Sequence, residues 1–433
     1  MNTKLAGTLL QELKKMPIID PHTHVRASQP VAAHLGDLLG YHYYTELSNS
    51  SRGRTVELPD DPDERIDYVW PHLPDLRGTV QFDWMMGISE AFFGIPRADW
   101  FSKSKNEIVK QAQAVIQSRS YEQSVWERSN IRQVYLTNQF DEDLSGLKDS
   151  RLVPCLRTDD LVFNADHAKS INRLDSALGV SSGRNLAAWR EALATVFSRF
   201  RAWKMGYAAV GLPPSFEIVQ VSELNAEALL KKLAAGETLD SGARATWASF
   251  AIDEIAKQCR RVQTPFCLMA GADRNVYPEG VPSGRDLFRC DAHLRGYDGL
   301  LNRYSDVRFP FMVVSDTAGL ELAAAGWIRH NVYPMSHWWY ANNPTDIRRE
   351  LRRRLDVLPR TKFIGFHSDG YSLEFTLPKF NTYRLQLALV LAERIEEGQI
   401  GGTDTLEPLD LDGALALAER IMLANCGAIL GCR

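Results

Sequence analysis

The chain has 433 residues, of which 45% are hydrophobic and 24% charged, so it carries enough apolar mass for a large core. Its formal charge of −4 argues against a general nucleic-acid binder, because such proteins are usually basic. We find no run of 18 apolar residues, and therefore expect no transmembrane helix and no membrane partner.

Both the N-terminal segment and the cysteines favour a cytoplasmic protein. Residues 1–15 keep Lys4, Glu12, Lys14 and Lys15 among apolar side chains, which predicts a short amphipathic helix and not a signal peptide. None of the six cysteines is in a CxxC pair, and most lie in apolar runs. Buried free thiols of this kind are typical of a reducing compartment.

Short apolar runs alternate with helical patterns along the chain, and eight of these runs are predicted to be strands. Eight is the number that a (β/α)₈ barrel needs. Continuous apolar runs such as "FPFMVVSD" are typical of parallel strands that are buried on both faces. We therefore predict an α/β protein, a single (β/α)₈ TIM-type barrel domain over residues 1–433. The predicted strands are Pro17–Val25, Ile131–Thr137, Leu152–Arg157, Trp203–Ala209, Phe266–Gly271, Phe309–Ser315, Val332–Trp338 and Phe363–Asp369.

The segment between the first two predicted strands is too long for a plain connection in such a barrel. It contains helical pieces, and Ser104 followed by Glu107 forms a capping-box pattern for a helix Lys105–Gln117. We predict that residues 30–125 form a mostly helical insertion over the barrel mouth, where barrel enzymes hold their active sites. Apolar spacing predicts further helices at Asn185–Phe200, Asp253–Arg260, Glu350–Leu358 and Arg384–Glu397.

The sharpest chemical motif is Asp20-Pro21-His22-Thr23-His24, at the end of the first predicted strand. Two histidines spaced two apart on a strand point to the same side, so both imidazoles can bind one metal ion. A lone HxH motif is a weak signal, since chance also produces it as two polar residues that close a strand. Its position at the end of the first strand of a long chain makes it much more specific.

A carboxylate follows the last predicted strand, at Asp369. An aspartate there is often only a helix cap or turn residue. In a closed barrel, however, the first and eighth strands are neighbours, so Asp369 would meet His22 and His24. The three residues predict a site for one divalent metal ion, Zn²⁺ first and Mn²⁺ as the alternative, with Asp369 as a candidate proton carrier.

An HxH motif on strand one and an aspartate on strand eight resemble the amidohydrolase superfamily, and further motifs resemble its uronate isomerase (glucuronate isomerase) family from residue 17 to about 430. The order and spacing of these motifs is more specific than any one of them. They are Asp20–His24, His42-Tyr43, Arg157-Thr158-Asp159 with Phe163, Leu233–Leu239, Trp338-Trp339, Phe363–Asp369 and Asn425.

The resemblance implies a reversible aldose–ketose isomerisation of a hexuronate, of the glucuronate-to-fructuronate type, with proton transfer between C2 and C1. It implies that His42 and Tyr43 act on the sugar ring or its oxygens. Arg157 offers a bidentate fork for the substrate carboxylate, and Trp338 and Trp339 would wall the pocket unless they are plain core residues.

Two positions depart from the family pattern. Where the family has a histidine on the fifth strand, this chain has Met269. Where the family has an arginine two residues after the strand-eight aspartate, this chain has Tyr371, which can donate a hydrogen bond but brings no charge. We expect Lys204 or His337 to supply the missing charge, and both are candidate substrate contacts. Many hydrolases of the superfamily bridge two metals through a fourth-strand lysine, but strands five and six lack the histidines for a second metal.

Three kinds of function remain open at this stage. A sugar-acid isomerase is favoured, with a mononuclear metal-dependent hydrolase or decarboxylase of a small acidic substrate as the alternative, and a barrel that only binds ligand as the third. We expect a small-molecule sugar acid as the partner, no nucleic acid, no membrane, and a homo-oligomer.

Overall fold

The computed structural model describes residues 3–52, 57–163, 167–281, 284–401 and 408–431. A ring of short parallel strands forms a barrel, and helices surround it, so the predicted (β/α)₈ architecture is confirmed. A small antiparallel pair, Ala272–Asp273 with Leu287–Phe288, follows the fifth barrel strand. The parallel strands are Ile18–Asp20, Ile131–Tyr135, Asn138–Gln139, Leu152–Val153, Leu156–Arg157, Ala208–Leu212, Phe266–Ala270, Phe309–Val313 and Val332–Pro334.

The second and third barrel strands each consist of two pieces, and the second extends beyond its predicted end at Thr137. Residues 131–135 pair with 152–153, and residues 138–139 pair with 156–157. Pro154 lies at the break in the third strand, and proline has no N–H to donate to a strand ladder. The third strand is therefore shorter than its apolar run.

The eighth strand is reduced to one isolated bridge, between Met335 and Ile364. Beyond it the barrel is closed by backbone hydrogen bonds to the first strand segment. The N–H of His24 donates to the carbonyl of Gly370 at 2.8 Å, and the N–H of Asp369 donates to the carbonyl of His22 at 3.2 Å. This seam brings the two ends of the barrel sheet together.

The predicted bounds of the fourth strand, Trp203–Ala209, are wrong. The strand is Ala208–Leu212, because Trp203 caps the preceding helix Leu186–Ala202 and Lys204 forms a turn with a φ of 59°. The aromatic cap residue continued the apolar run and made the turn resemble a strand. Lys204, which was predicted at the start of this strand, therefore lies in the turn before it.

The predicted helices are all present, and most are longer than predicted. The capping box of Ser104 and Glu107 is formed at the start of Lys105–Ile116. The described α-helices are Thr3–Lys15, Leu35–Leu39, His42–Arg52, Pro62–Val69, Val80–Ile88, Asp99–Ser102, Lys105–Ile116, Tyr121–Ser129, Asp159–Val162, His167–Leu178, Leu186–Ala202, Glu223–Ala234, Ser241–Val262, Asp298–Arg303, Asp316–Ile328, Pro344–Val357, Thr376–Gly401, Leu411–Glu419 and Asn425–Leu430. Single 3₁₀ or π turns are Trp70–His72, Ser89–Phe93, Ser182–Arg184, Leu294–Tyr297, Trp339–Ala341, Leu373–Phe375 and Arg420–Ala424.

Helix Thr376–Gly401 packs on the N-terminal helix Thr3–Lys15 and on helix Val80–Ile88, which belongs to the segment between the first two strands. In the described part of the chain, one helical stretch, Leu411–Leu430, has the length and composition to cross a membrane. Its Ala414, Ala418 and Ile421 are nevertheless buried in the main hydrophobic core. Such packing is typical of a core helix, so the stretch is weak evidence for a membrane span.

Candidate functional site

His22, His24 and Asp369 lie together at the seam between the first and eighth strands. Nε2 of His22 lies 3.5 Å from Oδ1 of Asp369, and Nε2 of His24 lies 3.4 Å from the same oxygen. One donor atom from each residue lies within 4.8 Å of the other two. Two imidazole nitrogens and a carboxylate oxygen therefore face one point.

A tyrosine behind His22 fixes which of its ring nitrogens carries the proton. The hydroxyl of Tyr207 donates to the carbonyl of Pro21 at 2.9 Å, and it lies 2.9 Å from Nδ1 of His22. A phenol has one proton to donate, so at His22 it must accept from Nδ1–H. The lone pair of Nε2 is then free on the side that faces Asp369, and burial lowers the pKa of His22, which favours the neutral ring.

These residues fit a divalent metal ion. Within the described residues, Nε2 of His22 and Oδ1 of Asp369 are buried and have no hydrogen-bond partner. Leaving such atoms unsatisfied costs about 1–3 kcal/mol each, whereas a cation would satisfy both. Two imidazoles and a carboxylate are a set of ligands that would suit Zn²⁺.

A buried lysine supports the turn that carries Asp369. Asp369 has a φ of 54°, a left-handed conformation that costs energy for a residue with a side chain. The ammonium group of Lys379 donates to the carbonyl of Ser368 at 2.8 Å and to the hydroxyl of Tyr41 at 3.2 Å. That hydroxyl in turn donates to the carbonyl of Asp369 at 3.0 Å. Lys379 is fully buried, and its ammonium group lies 4.4 Å from the ring centre of Trp84.

A cavity of about 200 Å³ opens in front of the three residues. Two arginines and three aspartates line it, which gives a net charge of −1 that a divalent cation would reverse to +1. An anionic ligand is therefore favoured only when the cation is bound. The lining residues are His22, His24, His42, Thr137, Arg157, Asp159, Ala209, Gly211, Met269, Arg274, Asp286, Trp338, Trp339, Asp369 and Tyr371.

The two arginines of the cavity come from different strand ends. Arg157 ends the third strand, and its Nε lies 3.3 Å from Oδ2 of Asp159. Arg274 follows the fifth strand, and its Nη1 donates to Oδ2 of Asp286 at 2.5 Å. Each pairing holds a guanidinium in place and leaves further N–H groups free to bind a ligand.

Aromatic rings form the other walls. Tyr371 stacks on His24, with ring centres 4.7 Å apart and an angle of 28° between the planes. The ring of His42 lies 5.5 Å from that of Tyr371, and burial lowers the pKa of His42 to about 3, so its imidazole is neutral. Trp338 and Trp339 are buried and line the cavity, and Trp339 has a φ of 52°.

Three predicted site residues do not line this cavity. Lys204 is exposed in the turn before the fourth strand, at the end of the barrel opposite the site, which does not support the predicted substrate contact. His337 is buried and lines a different cavity. Tyr43 is buried behind the wall, where its ring centre lies 5.0 Å from the ammonium group of Lys379. Neither Lys204 nor His337 lines the cavity that Tyr371 lines.

Three residues of the site were not singled out from the sequence. Arg274 provides a cation in the cavity, the role that was expected of Lys204 or His337. It lies four residues beyond the fifth strand, and this position at a barrel mouth could have indicated it from the sequence. Tyr207 precedes the fourth strand, whose bounds were wrong. Lys379 resembles a solvated lysine on a long helix, and no local pattern indicates its burial.

Comparison with known families matches residues 1–409 to the glucuronate isomerase family. A uronate isomerase from Thermotoga maritima has a similar structure, with a TM-score of 0.85 at 19% identity over 99% of this chain and 97% of that one. Glucuronate isomerase from Caulobacter crescentus gives 0.85 at 19% over 99% and 94%, and a uronate isomerase from Bacillus halodurans gives 0.78 at 20% over 100% and 97%. Curated protein sequences give no match. At this identity the structures support the barrel fold, and the family match extends over nearly the whole chain. The chain belongs to the glucuronate isomerase family, whose members are aldose–ketose isomerases of uronates.

Proposed function

We propose that this isomerase interconverts a hexuronate and the corresponding keturonate at the cavity in front of His22, His24 and Asp369. The observation that carries the proposal is the convergence of these three donor atoms on one point of a cavity that also holds two arginines. A divalent cation bound there, Zn²⁺ first and Mn²⁺ second, supplies Lewis-acid polarisation of the sugar carbonyl.

The arginines give the cavity its selectivity for an acid. Arg157 offers the free side of its guanidinium fork to the substrate carboxylate, as it lines the cavity and is held by Asp159. Arg274 reaches the same cavity from the fifth-strand side and supplies the second cation. We assign the carboxylate to Arg157, in keeping with the family motif, and a sugar hydroxyl to Arg274.

Asp369 is placed to carry the proton between C2 and C1, because it is an anion at the back of the cavity. His42 is a neutral imidazole in the wall, and its low pKa suits a hydrogen bond to a sugar oxygen and not proton uptake. Tyr371 donates one neutral hydrogen bond to a sugar oxygen. Trp338 and Trp339 cover the sugar face and exclude water from the transferred proton.

The proposed reaction is tested by following a hexuronate in D₂O. With glucuronate or galacturonate and Zn²⁺, Mn²⁺ or Co²⁺, the product should be a keturonate of unchanged composition, and deuterium should appear at C2 of the recovered aldose by NMR. Gain of the mass of one water would instead indicate hydrolysis, and loss of carbon dioxide would indicate decarboxylation. Either result, without exchange at C2, would replace this proposal.

The role of Arg157 is tested by the change to lysine. Arg157→Lys keeps the charge but loses the planar fork, so the KM for the uronate should rise by a factor that corresponds to about 1–2 kcal/mol. Steady-state kinetics measure it. Lys204→Met is the matched control, because Lys204 is an exposed cation outside the cavity and its loss should leave KM unchanged. An unchanged KM in Arg157→Lys would make Arg157 a structural partner of Asp159 only.

We predict that Lys379 positions Asp369. Lys379→Met keeps a similar volume but removes the hydrogen bonds to Ser368 and Tyr41, so metal affinity should fall by about 10–100-fold, as for other groups that orient ligands. Metal titration measures it. The control is Lys362→Met, since Lys362 also donates to two backbone carbonyls, those of Arg329 and His330, but precedes the eighth strand. Equal losses in both variants would indicate general destabilisation.

The remaining proposals concern assembly and compartment. We propose a homo-oligomer, because Leu320, Trp327 and Ile328 are exposed along one helix, and contiguous exposed apolar side chains mark interaction surfaces. Sedimentation velocity measures the mass in solution. We propose a cytoplasmic location, because Cys155, Cys259, Cys267 and Cys426 are buried free thiols.

A further inference from the structure

A second cavity, of about 340 Å³, lies on the far side of the loop that carries Trp338 and Trp339. Its walls come from the sixth and seventh strand ends and from the helices Asp316–Ile328 and Pro344–Val357 that follow them. The cavity is large enough for a molecule of several carbon atoms. Ser336, His337 and Arg354 line it, and none of them lines the metal-site cavity.

Several polar groups around this cavity are buried without a partner. Both ring nitrogens of His337, the hydroxyl of Ser336 and Oε2 of Glu350 make no hydrogen bond within the described residues. His337 and Ser336 are each only 2% exposed. Each such group costs about 1–3 kcal/mol when it stays unsatisfied, so their grouping around one cavity favours a polar ligand.

The charged groups around the cavity balance, since Asp316, Asp346 and Glu350 meet Arg349, Arg353 and Arg354, but one arginine keeps its donors free. Asp316 is held by Arg349 and Arg353 at 3.0 Å each, and Arg353 also pairs with Oε1 of Glu350. Arg354 is 4% exposed, and its side chain donates no hydrogen bond in the described part of the chain. Its Nε lies 3.6 Å from Oε2 of Glu350, which is too long for a hydrogen bond. Arg354 is thus a buried guanidinium whose donors are available to a carboxylate.

A carboxylate alone would leave Oε2 of Glu350 without a donor, and a hydroxyl group can supply it. A neutral His337 offers one donor and one acceptor, and burial lowers its pKa, which favours that neutral form. Ser336 has a φ of 54°, a strained conformation of the kind that clusters at ligand sites. The donors and acceptors around the cavity therefore match a molecule with both a carboxylate and hydroxyl groups.

We propose that this cavity is a second binding site, for a small hydroxycarboxylate anion. The carboxylate pairs with Arg354, a hydroxyl donates to Glu350, and Ser336 and His337 complete the hydrogen bonds. The site shares the loop of residues 336–339 with the metal-site cavity but none of its proposed catalytic residues.

The test uses Cys290, an exposed thiol that lines this cavity. The rate at which iodoacetamide alkylates Cys290 is measured by peptide mass spectrometry in the presence of D-glycerate. Glycerol, which lacks the carboxylate, and propionate, which lacks the hydroxyls, are the control probes. Glycerate should slow alkylation saturably, roughly tenfold at a concentration about ten times its Kd, and the other two should not. No saturable protection, or equal protection by glycerol or propionate, would overturn the proposal.

Variants separate this site from the metal site. Arg354→Gln should abolish the protection, whereas Arg308→Gln, at a half-buried arginine that does not line the cavity, should retain it. Because loss of a buried arginine can impair folding, Ser336→Gly provides a second variant, which removes the hydroxyl at a position where glycine is unstrained and should raise the glycerate concentration needed for protection roughly threefold. Protection should persist in His22→Asn, and its loss there, or its retention in folded Arg354→Gln, would overturn the assignment. The thiol readout is independent of uronate isomerisation.

Discussion

His24→Ala should bind almost no divalent metal and should lose at least ~100-fold in uronate isomerase turnover. The change removes one of the three proposed protein ligands, and replacing even a group that supports a ligand costs about 10–100-fold. His24 is a quarter exposed at the cavity, and residues at a barrel mouth contribute to function more than to core stability. Circular dichroism should therefore be unchanged. Metal content is measured by plasma emission on dialysed protein, and turnover by the D₂O assay.

The matched control for this variant is His293→Ala. His293 is an exposed histidine whose Nδ1 lies 3.8 Å from Glu321, and it lines neither cavity. It should keep both metal and turnover. A double variant of His22 and His24 to alanine that retained one metal ion per chain would show that these histidines do not hold the metal.

Tyr207→Phe should weaken metal binding by about 10–100-fold, although Tyr207 does not line the cavity. Without the hydroxyl, Nδ1 of His22 loses its acceptor, so the ring can place its proton on Nε2, the atom that must be bare to bind a cation. A fluorescent chelator competition measures the affinity. The KM for the uronate, measured at saturating metal, should change much less.

A second tyrosine separates this effect from loss of stability. Tyr304 is buried and donates one hydrogen bond to the carbonyl of Asp253, far from the seam. Tyr304→Phe should lower thermal stability to a similar extent, about 0.5–1.5 kcal/mol, and leave metal affinity unchanged. If both variants bound metal as tightly as the unaltered protein, the hydrogen bond to His22 would have no part in metal binding.

The barrel could be predicted because its strands are buried on both faces, so their composition identifies them. Phe266–Ala270 and Phe309–Val313 are fully buried and agree with the predicted runs. The predicted strand bounds were wrong where an apolar side chain belongs to a neighbouring element, as at Trp203, which caps a helix. The eighth strand keeps one bridge because its residues turn instead to form the seam with the first.

The grouping of His22, His24 and Asp369 could be predicted because it needs only the order of strands in a closed barrel, and their role as metal ligands stays a prediction. The residues that support this site from outside the cavity could not be predicted. Tyr207 meets His22 across 185 positions of sequence, and Lys379 reaches Tyr41 across 338. Neither residue carries a local pattern that indicates its partner, because burial inside a tertiary structure is what gives each its role.

The seam that closes the barrel determines when the chain can first become active during its synthesis. The N–H of Ser368 donates to Oδ1 of Asp20 across 348 positions of sequence. Such distant contacts form late, because the entropy of closing the intervening loop must be overcome first. A nascent chain therefore carries its histidine pair from the start but has no active centre until helix Thr376–Gly401 has left the ribosome. Isomerase activity therefore requires that the chain be synthesised through this helix, and its recovery after denaturation requires that the seam form again.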